Sequence, residues 1–198
     1  DLSGNIWTTG FAFNGPLSFN GLDTIAPFSY NEYVVKYNSS GTAQWISFIQ
    51  DITAQDYNIE TDDSGNAYLS GNLFDSTSFG NLHANGPQWI YDYFVTKIDP
   101  SGNFIWLREI PPGNTTGDAT IGNSNFLSCG DDGDTYITGF FRGEVNLGNG
   151  IWLTPVDYYD IFVIKYNTNG EVQWAKAAGS NLFDQGSGIV FDQIGNCY

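Results

Sequence analysis

Side chains that could do chemistry in this chain include an acidic turn, Asp131-Asp132-Gly133-Asp134. Closely spaced carboxylates can bind calcium, although a helix-flanked calcium loop also needs Gly at its sixth position and Glu at its twelfth, and this turn has neither. Hairpin turns use the same residue types. We therefore interpret the segment first as a hairpin turn, with Asp131, Asp132 and Asp134 as candidate calcium ligands second.

Aromatic side chains stand near Asn and Asp in two long loops. One loop carries Trp89 and Tyr91, and the other carries Trp152, Tyr158 and Tyr159. Aromatic rings offer a large apolar face that suits a sugar ring, and Asn and Asp can bind its hydroxyl groups. The rings could instead be buried under their own loops. These five residues are the candidate ligand-binding residues, with burial as the alternative.

Residues typical of catalytic sites are sparse. His83 is the only histidine, and no nucleophile motif lies near it. A zinc site needs several His or Cys side chains at suitable spacing, whereas Cys129 and Cys197 are far from His83 and from each other in sequence. We therefore expect no enzyme and no required cofactor. The sequence leaves open whether the two cysteines form a disulfide.

The charge balance limits the partners. The chain has 22 acidic and 6 basic side chains, for a net charge of −16. Such a chain repels phosphate backbones, so we expect no nucleic acid partner. No apolar run is long enough to cross a membrane, so we expect no membrane insertion. The 24 glycines and 17% aromatic residues are typical of an extracellular all-β protein.

One pattern recurs three times along the chain, at offsets of 61 and 68 residues. The offsets align three lysines and three tryptophans: Lys36, Lys97, Lys165, Trp45, Trp106 and Trp174. A fixed period of several tens of residues indicates stacked supersecondary units. A residue that every unit carries is most simply structural. We expect each lysine to reach a carboxylate or carbonyl group of a neighbouring turn, and each tryptophan to fill space between units.

Each unit divides into four extended segments separated by Gly, Asn, Asp and Pro clusters. In the middle copy the predicted strands are residues 57–61, 67–71, 93–98 and 104–107. Tight turns at residues 62–66 and 99–103 join the outer pairs, and a long arm joins the inner pair. Four strands connected as a meander predict an all-β fold, specifically a β-propeller of four-stranded antiparallel blades.

Three stretches of the chain resemble the SBBP-type β-propeller repeat: DDSGNAYLSG, YDYFVTKIDPSGNFIW and YYDIFVIKYNTNGEVQWAKAAGS. That repeat has an Asp-x-Ser-Gly-Asn turn, an Asp-x-Phe-Val-x-Lys strand and a Gly-Asn-x-x-Trp strand. The chain departs from it at Asn31, where the other copies have Asp92 and Asp160, and at Gly130, where aspartate stands elsewhere. The resemblance implies a scaffold common in secreted bacterial and giant-virus proteins, without shared catalytic residues.

The repeats place a single propeller region over residues 1–198. Its copies span approximately 1–61, 62–130 and 131–191, and residues 192–198 begin another unit. Propellers usually need about four to eight blades to close, and closure of three blades would bring two copies of one turn to the same place. We therefore expect part of a larger propeller, with a multimer that completes the ring as the alternative. Open blade edges would favour self-association.

The leading functional hypothesis is a non-enzymatic binding or adhesion module at the outside of a cell or on a virion surface. It would present loops of a rigid scaffold to a glycan or protein partner. The alternatives are a structural repeat of a larger surface assembly or filament, and a fragment of a propeller glycosidase or lyase.

Overall fold

The structure is a computed structural model, which describes residues 1–50, 58–73, 76–86, 92–109, 118–120, 126–192 and 194–198. These residues form strands and no helix, which confirms the predicted all-β class, and none of them offers a long apolar helix that could span a membrane. In chain order the strands are β1 (Ile6–Phe19), β2 (Leu22–Tyr37), β3 (Ala43–Gln50), β4 (Asn58–Thr61), β5 (Ala67–Leu73), β6 (Thr77–Phe79), β7 (Leu82–Ala84), β8 (Asp92–Ile98), β9 (Phe104–Glu109), β10 (Asp118–Thr120), β11 (Leu127–Cys129), β12 (Thr135–Arg142), β13 (Val145–Asn146), β14 (Trp152–Leu153), β15 (Asp160–Tyr166) and β16 (Val172–Ala178).

The first sheet has the strand order β1-β2-β3-β6-β7. β1 and β2 form one long hairpin that reverses at Asn20 and Gly21. The sequence pattern predicts an arm separate from the strands here. The arm instead extends both strands, because its residues stay paired from Gly15 opposite Ala26 to the reversal, beyond a register shift that follows Phe13.

The β6–β7 hairpin lies in the chain between two strands of the second sheet, yet it pairs with the first sheet. Ile49 of β3 lies opposite Phe79 of β6, and the Thr77 hydroxyl donates a hydrogen bond to the carbonyl oxygen of Gln50. The arm of one repeat therefore joins the sheet of the repeat before it. Sequence period alone does not predict this pairing, because it depends on which sheet lies next to the arm.

The second sheet has the order β4-β5-β8-β9, and the third has the order β10-β12-β15-β16, with β11 also paired to β12. A small sheet joins β13 and β14. All four strands predicted for the middle copy are present, with ends that differ by at most two residues over the described positions. β5 and β8 are almost wholly buried, which fits their β-branched and aromatic content.

Tight turns join the first two and the last two strands of the second sheet. The Asp62 carboxylate accepts a hydrogen bond from the backbone N–H of Asn66 in the first turn, and the Asp99 carboxylate accepts one from Asn103 in the second. Gly102 has a φ of 89°. Because side chains other than Gly are strained at such angles, each turn needs a glycine at its fourth position.

Two buried clusters hold the sheets together. One takes Ile49 from the first sheet and Leu69 from the second. The other takes Val95 from the second sheet and Phe162 from the third. Successive sheets therefore pack against each other, and the second sheet is buried on both faces.

Candidate functional site

Lys36 and Trp45 of the first sheet contact the turn that follows β8. Lys36 Nζ donates a hydrogen bond to the carbonyl oxygen of Pro100 at 3.2 Å, and Trp45 Nε1 donates one to the same oxygen at 3.0 Å. The Trp45 ring passes so close to Gly102 that a Cβ there would lie 2.9 Å from it. The contact is therefore made to the backbone of the turn and depends on its glycine.

The same contact recurs between the second sheet and the third. Lys97 Nζ donates to Thr168 Oγ1 at 2.9 Å, and Trp106 Nε1 donates to the carbonyl oxygen of Thr168 at 3.0 Å. A Cβ at Gly170 would lie 2.7 Å from the Trp106 ring. Arg108 adds a hydrogen bond from Nε to the carbonyl oxygen of Gly170 at 2.6 Å. Two of the three aligned Lys and Trp pairs thus link successive sheets.

Each aligned lysine also lies over an aromatic ring of its own sheet. Nζ stands 5.0, 5.2 and 5.3 Å from the ring centres in the pairs Lys36–Trp7, Lys97–Tyr68 and Lys165–Tyr136. A cation over a ring face is attracted by the quadrupole of the ring, most strongly where water is excluded. In each sheet, the ring therefore helps to position the ammonium group of the aligned lysine.

The third Lys and Trp pair has different surroundings. Lys165 Nζ lies 2.5 Å from Asp134 Oδ2, and the hydrogen bond with this carboxylate raises the pKa of Lys165. The half-buried Trp174 ring lies 6.2 Å from the ring of Tyr136. Its Nε1 has no hydrogen-bond partner within the described part of the chain. Lys165 and Trp174 therefore carry the contact groups without a turn bound to them.

The candidate calcium ligands Asp131, Asp132 and Asp134 line a cleft of about 470 Å³ that also contains Lys165. Asp132 Oδ1 accepts a hydrogen bond from the backbone N–H of Asp134 at 3.0 Å, and Asp134 pairs with Lys165. Over the described residues, no three His, Cys, Asp or Glu side chains are grouped closely enough to hold a metal ion. Calcium binding stays a prediction, which thermal unfolding with and without millimolar calcium would test.

Tyr158 and Tyr159, two of the candidate ligand-binding residues, belong to an aromatic patch on the third sheet. The patch consists of Phe140, Tyr158, Tyr159 and Phe183. Ring centres lie 4.8 Å apart for Tyr158–Tyr159 and 5.4 Å apart for Tyr159–Phe183. The backbone N–H of Asp184 donates to the carbonyl oxygen of Tyr159, which holds the Phe183 segment beside the loop. Tyr158 is 57% exposed and Phe183 is 51% exposed.

The other candidate ligand-binding residues lie elsewhere. Trp152 is exposed on β14, opposite Asn146 of β13, and contacts no ring of the aromatic patch in the described structure. Trp89 and Tyr91 lie outside the described residues.

A second group of rings, Phe11, Phe13 and Tyr30, lies on the first sheet with ring centres 5.0 to 5.9 Å apart. Tyr30 and Tyr159 occupy equivalent repeat positions, as do Phe11 and Phe140. This group is not among the ligand-binding residues predicted from the sequence, although alignment of the first copy with the third shows the shared aromatic positions. Phe13 remains 66% exposed even though the second sheet packs against the same face.

Glu32 is a buried carboxyl that the sequence reasoning missed. Thr9 Oγ1 donates to its Oε1, while its Oε2 has no partner among the described residues. Burial raises the pKa of Glu32 to about 9, against a lowering hydrogen bond from the backbone of Gly10. Glu32 is therefore protonated at neutral pH. The signal was a break in the repeat, because the other copies have Tyr93 and Ile161 at this position.

Among the described residues, the histidine and the two cysteines lie apart from one another. His83 is exposed on the β6–β7 hairpin, and its Nδ1 lies 3.1 Å from Ser78 Oγ. Cys129 and Cys197 are free thiols, and burial raises the pKa of both, so each is held in the protonated, less nucleophilic form.

Comparison of the sequence with models of known protein families gives no match, and comparison with curated proteins gives none. The proposals below therefore rest on the residues and contacts of this chain.

Proposed function

We propose that the three large sheets are successive blades of a β-propeller of the SBBP repeat type. The meander order of the second sheet, the sequence period and the equivalent contacts of Trp45 and Trp106 support this architecture. An electron-microscopy or crystal structure of the purified protein tests it, because blades would be related by rotation about one axis.

On this scaffold, we infer a non-enzymatic binding module that acts outside the cell or on a virion surface. The observation that carries the inference is the aromatic patch, whose Tyr158 and Phe183 rings are more than half exposed. Leu182 and Val156 are exposed nearby in sequence. Exposed apolar groups that cluster in this way mark interaction sites more often than isolated ones do.

The equivalent rings of the first sheet support the choice of this surface. There, the neighbouring sheet packs on the face that carries Phe11 and Tyr30, yet Tyr30, the equivalent of Tyr159, stays 44% exposed. Rings at these positions therefore remain accessible when a further sheet stacks on the same face. By the same reasoning, the aromatic patch would remain accessible in a longer stack.

A neutral carbohydrate is the ligand class that we favour. Exposed aromatic faces suit the apolar faces of sugar rings, and the net charge of −16 disfavours anionic polymers. A protein partner is the second candidate, which the exposed aliphatic side chains of Leu182 and Val156 favour.

The test is binding of the purified chain to a panel of neutral polysaccharides, with Tyr158→Ala and Phe183→Ala as variants. Ile105→Ala is the matched control, since Ile105 is an exposed apolar residue of β9 outside the patch. Each patch variant should weaken binding about tenfold, which is about 1.4 kcal/mol, and the control should bind like the parent. If both patch variants bind with the affinity of the parent, or if the parent binds no polysaccharide, the carbohydrate assignment is wrong.

A further inference from the structure

We propose that copies of this chain associate head to tail, with the turn at residues 38–42 of one copy bound by Lys165 and Trp174 of the next. Lys165 and Trp174 lie on the same face of the third sheet as Phe140 of the aromatic patch, further along the strands. The proposal does not depend on carbohydrate binding.

The model for this interface is a contact that the chain already makes twice. Trp45 binds the turn at residues 99–103, and Trp106 binds the turn at residues 167–171. In each case the indole N–H donates to the carbonyl oxygen of the second residue of the turn, and the ring covers its glycine. Because the same contact occurs twice in one molecule, it is a recurring mode of packing.

The donor side of a third contact is present, and no turn is bound to it among the residues that the structure describes. Trp174 is equivalent to Trp45 and Trp106, and Lys176 is equivalent to Arg108, which bonds the glycine carbonyl of its turn. A cleft of about 460 Å³ runs along both of these side chains. Beside Lys165 lies the cleft of about 470 Å³ described above. Residues of the segment 192–198 also line both clefts, so a turn can enter there once that segment moves.

The acceptor side is also present, and its Gly41 carbonyl oxygen already accepts one hydrogen bond, from Asn20 Nδ2 at 2.8 Å, which leaves its second lone pair for the incoming lysine. The turn at residues 38–42 has the architecture of the other two, since the Asn38 side chain accepts hydrogen bonds from the backbone of Ser40 and Thr42. Gly41 has a φ of 77°. Within the described residues no heavy atom lies within 4 Å of a Cβ placed on Gly41, whereas tryptophan rings cover Gly102 and Gly170.

Strand pairing supplies the rest of the interface. Only β2 pairs with β1, so among the described residues the outer edge of this long strand is open. In the second sheet that position is taken by β4, which pairs with β5. Residues 189–191 of another copy are equivalent to β4 and lie beside the third sheet, where Phe191 stacks on Tyr136 at 4.6 Å. These residues can therefore pair with β1 of the incoming copy.

One segment has to move for this pairing. Residues 1–5 of one copy and residues 192–196 of the other form the same type of turn. Only one of these turns fits in the interface between the two copies. Both turns are exposed, with Leu2 at 76% and Ile194 at 85%. Residues 192–198 are held by two backbone hydrogen bonds between Val190 and Tyr198, whereas the turn at residues 1–5 continues into β1, which pairs with β2 along its length. We infer that residues 192–198 are displaced.

The test is the mass of the purified 198-residue chain by light scattering, over a range of chain concentrations and at two salt concentrations. We expect the mass to rise with chain concentration to two chains or more. We also expect higher salt to favour association, because it screens the repulsion between copies that each carry a charge of −16.

Two variants locate the interface. Trp174→Ala removes the donor ring, and Gly41→Asn places a Cβ where the ring would lie while tolerating the positive φ. Each variant alone should stay a single chain. The controls Trp152→Ala and Gly148→Asn should associate like the parent, since Trp152 is an exposed tryptophan elsewhere and Gly148 has a φ of 85° in open space.

A mixture of Trp174→Ala with Gly41→Asn gives the sharpest result. Trp174→Ala keeps an intact turn at residues 38–42, and Gly41→Asn keeps an intact Trp174. An equimolar mixture should therefore form a complex of two chains and no larger complex. Circular dichroism of each variant should match the parent, which excludes unfolding as the cause. A parent chain that stays single at every concentration and salt, or a mixture that stays single, would overturn the proposal.

Discussion

At the scale of single residues, the recurrence of the aligned lysines predicts a shared structural role. The surroundings of each lysine determine which group it binds. Lys36 and Lys97 reach a backbone oxygen and a hydroxyl of a neighbouring turn, whereas Lys165 pairs with Asp134 of its own sheet. The sequence predicts that such lysines bind carbonyl or carboxylate groups of turns. It does not predict which, because that depends on whether another turn is within reach.

Glu32 gives the clearest residue-scale prediction. Its pKa is about 9 in the folded protein and near 4.5 in an unfolded chain, so the folded state binds the extra proton between these values. The free energy of unfolding should therefore be highest below pH 4.5, as far as this group is concerned, and should fall as the pH rises towards 9. The slope for one group is at most about 1.4 kcal/mol per pH unit.

Glu32→Gln should remove this dependence, because the amide does not titrate. Urea unfolding at pH 5 and pH 8 measures it, and at pH 8 the variant should be more stable than the parent by on the order of 5 kcal/mol. Glu144→Gln is the control, since Glu144 is exposed. Parallel pH profiles for parent and Glu32→Gln would refute the assignment of a buried, protonated carboxyl.

At the scale of elements, the turns and the middle strands follow from local sequence. Asp or Asn at the first position and Gly at the fourth specify each turn, and β-branched and aromatic runs between the turns specify the strands. The extended β1–β2 hairpin and the pairing of β6 with β3 do not follow in this way. Both depend on contacts between residues far apart in sequence, which a local pattern does not contain.

The turn glycines carry the element-scale prediction. Gly102→Ala should strain a φ of 89° and also push a Cβ to 2.9 Å from the Trp45 ring. Gly148→Ala should impose only the first of these, because the space around it is open in the described structure. Strain at positive φ costs roughly 1–2 kcal/mol, and overpacking adds roughly 1–3 kcal/mol.

Thermal and urea unfolding of the two glycine variants should therefore rank Gly102→Ala as the less stable by at least about 1 kcal/mol. Equal losses would mean that the Trp45 ring does not rest on the turn.

At the scale of the whole molecule, two buried clusters and two equivalent Lys and Trp contacts join three sheets in order. The internal repeat predicted that units stack and that tryptophans fill the space between them. Which loop residues would form an accessible surface could not be predicted, because the sequence places Trp152 and Tyr158 in the same loop but only Tyr158 joins the aromatic patch. Exposure depends on how the Phe183 segment returns to the third sheet.

We expect the aligned tryptophans to stabilise the molecule through the next turn rather than through their own sheet. Urea unfolding of Trp106→Ala and Trp174→Ala, at a chain concentration where light scattering shows single chains, tests it directly. Trp106→Ala should lower the free energy of unfolding by about 3 kcal/mol, because a buried ring and its bond to Thr168 are lost. Trp174→Ala should lower it by about 1 kcal/mol or less. Equal losses at the two positions would contradict the claim.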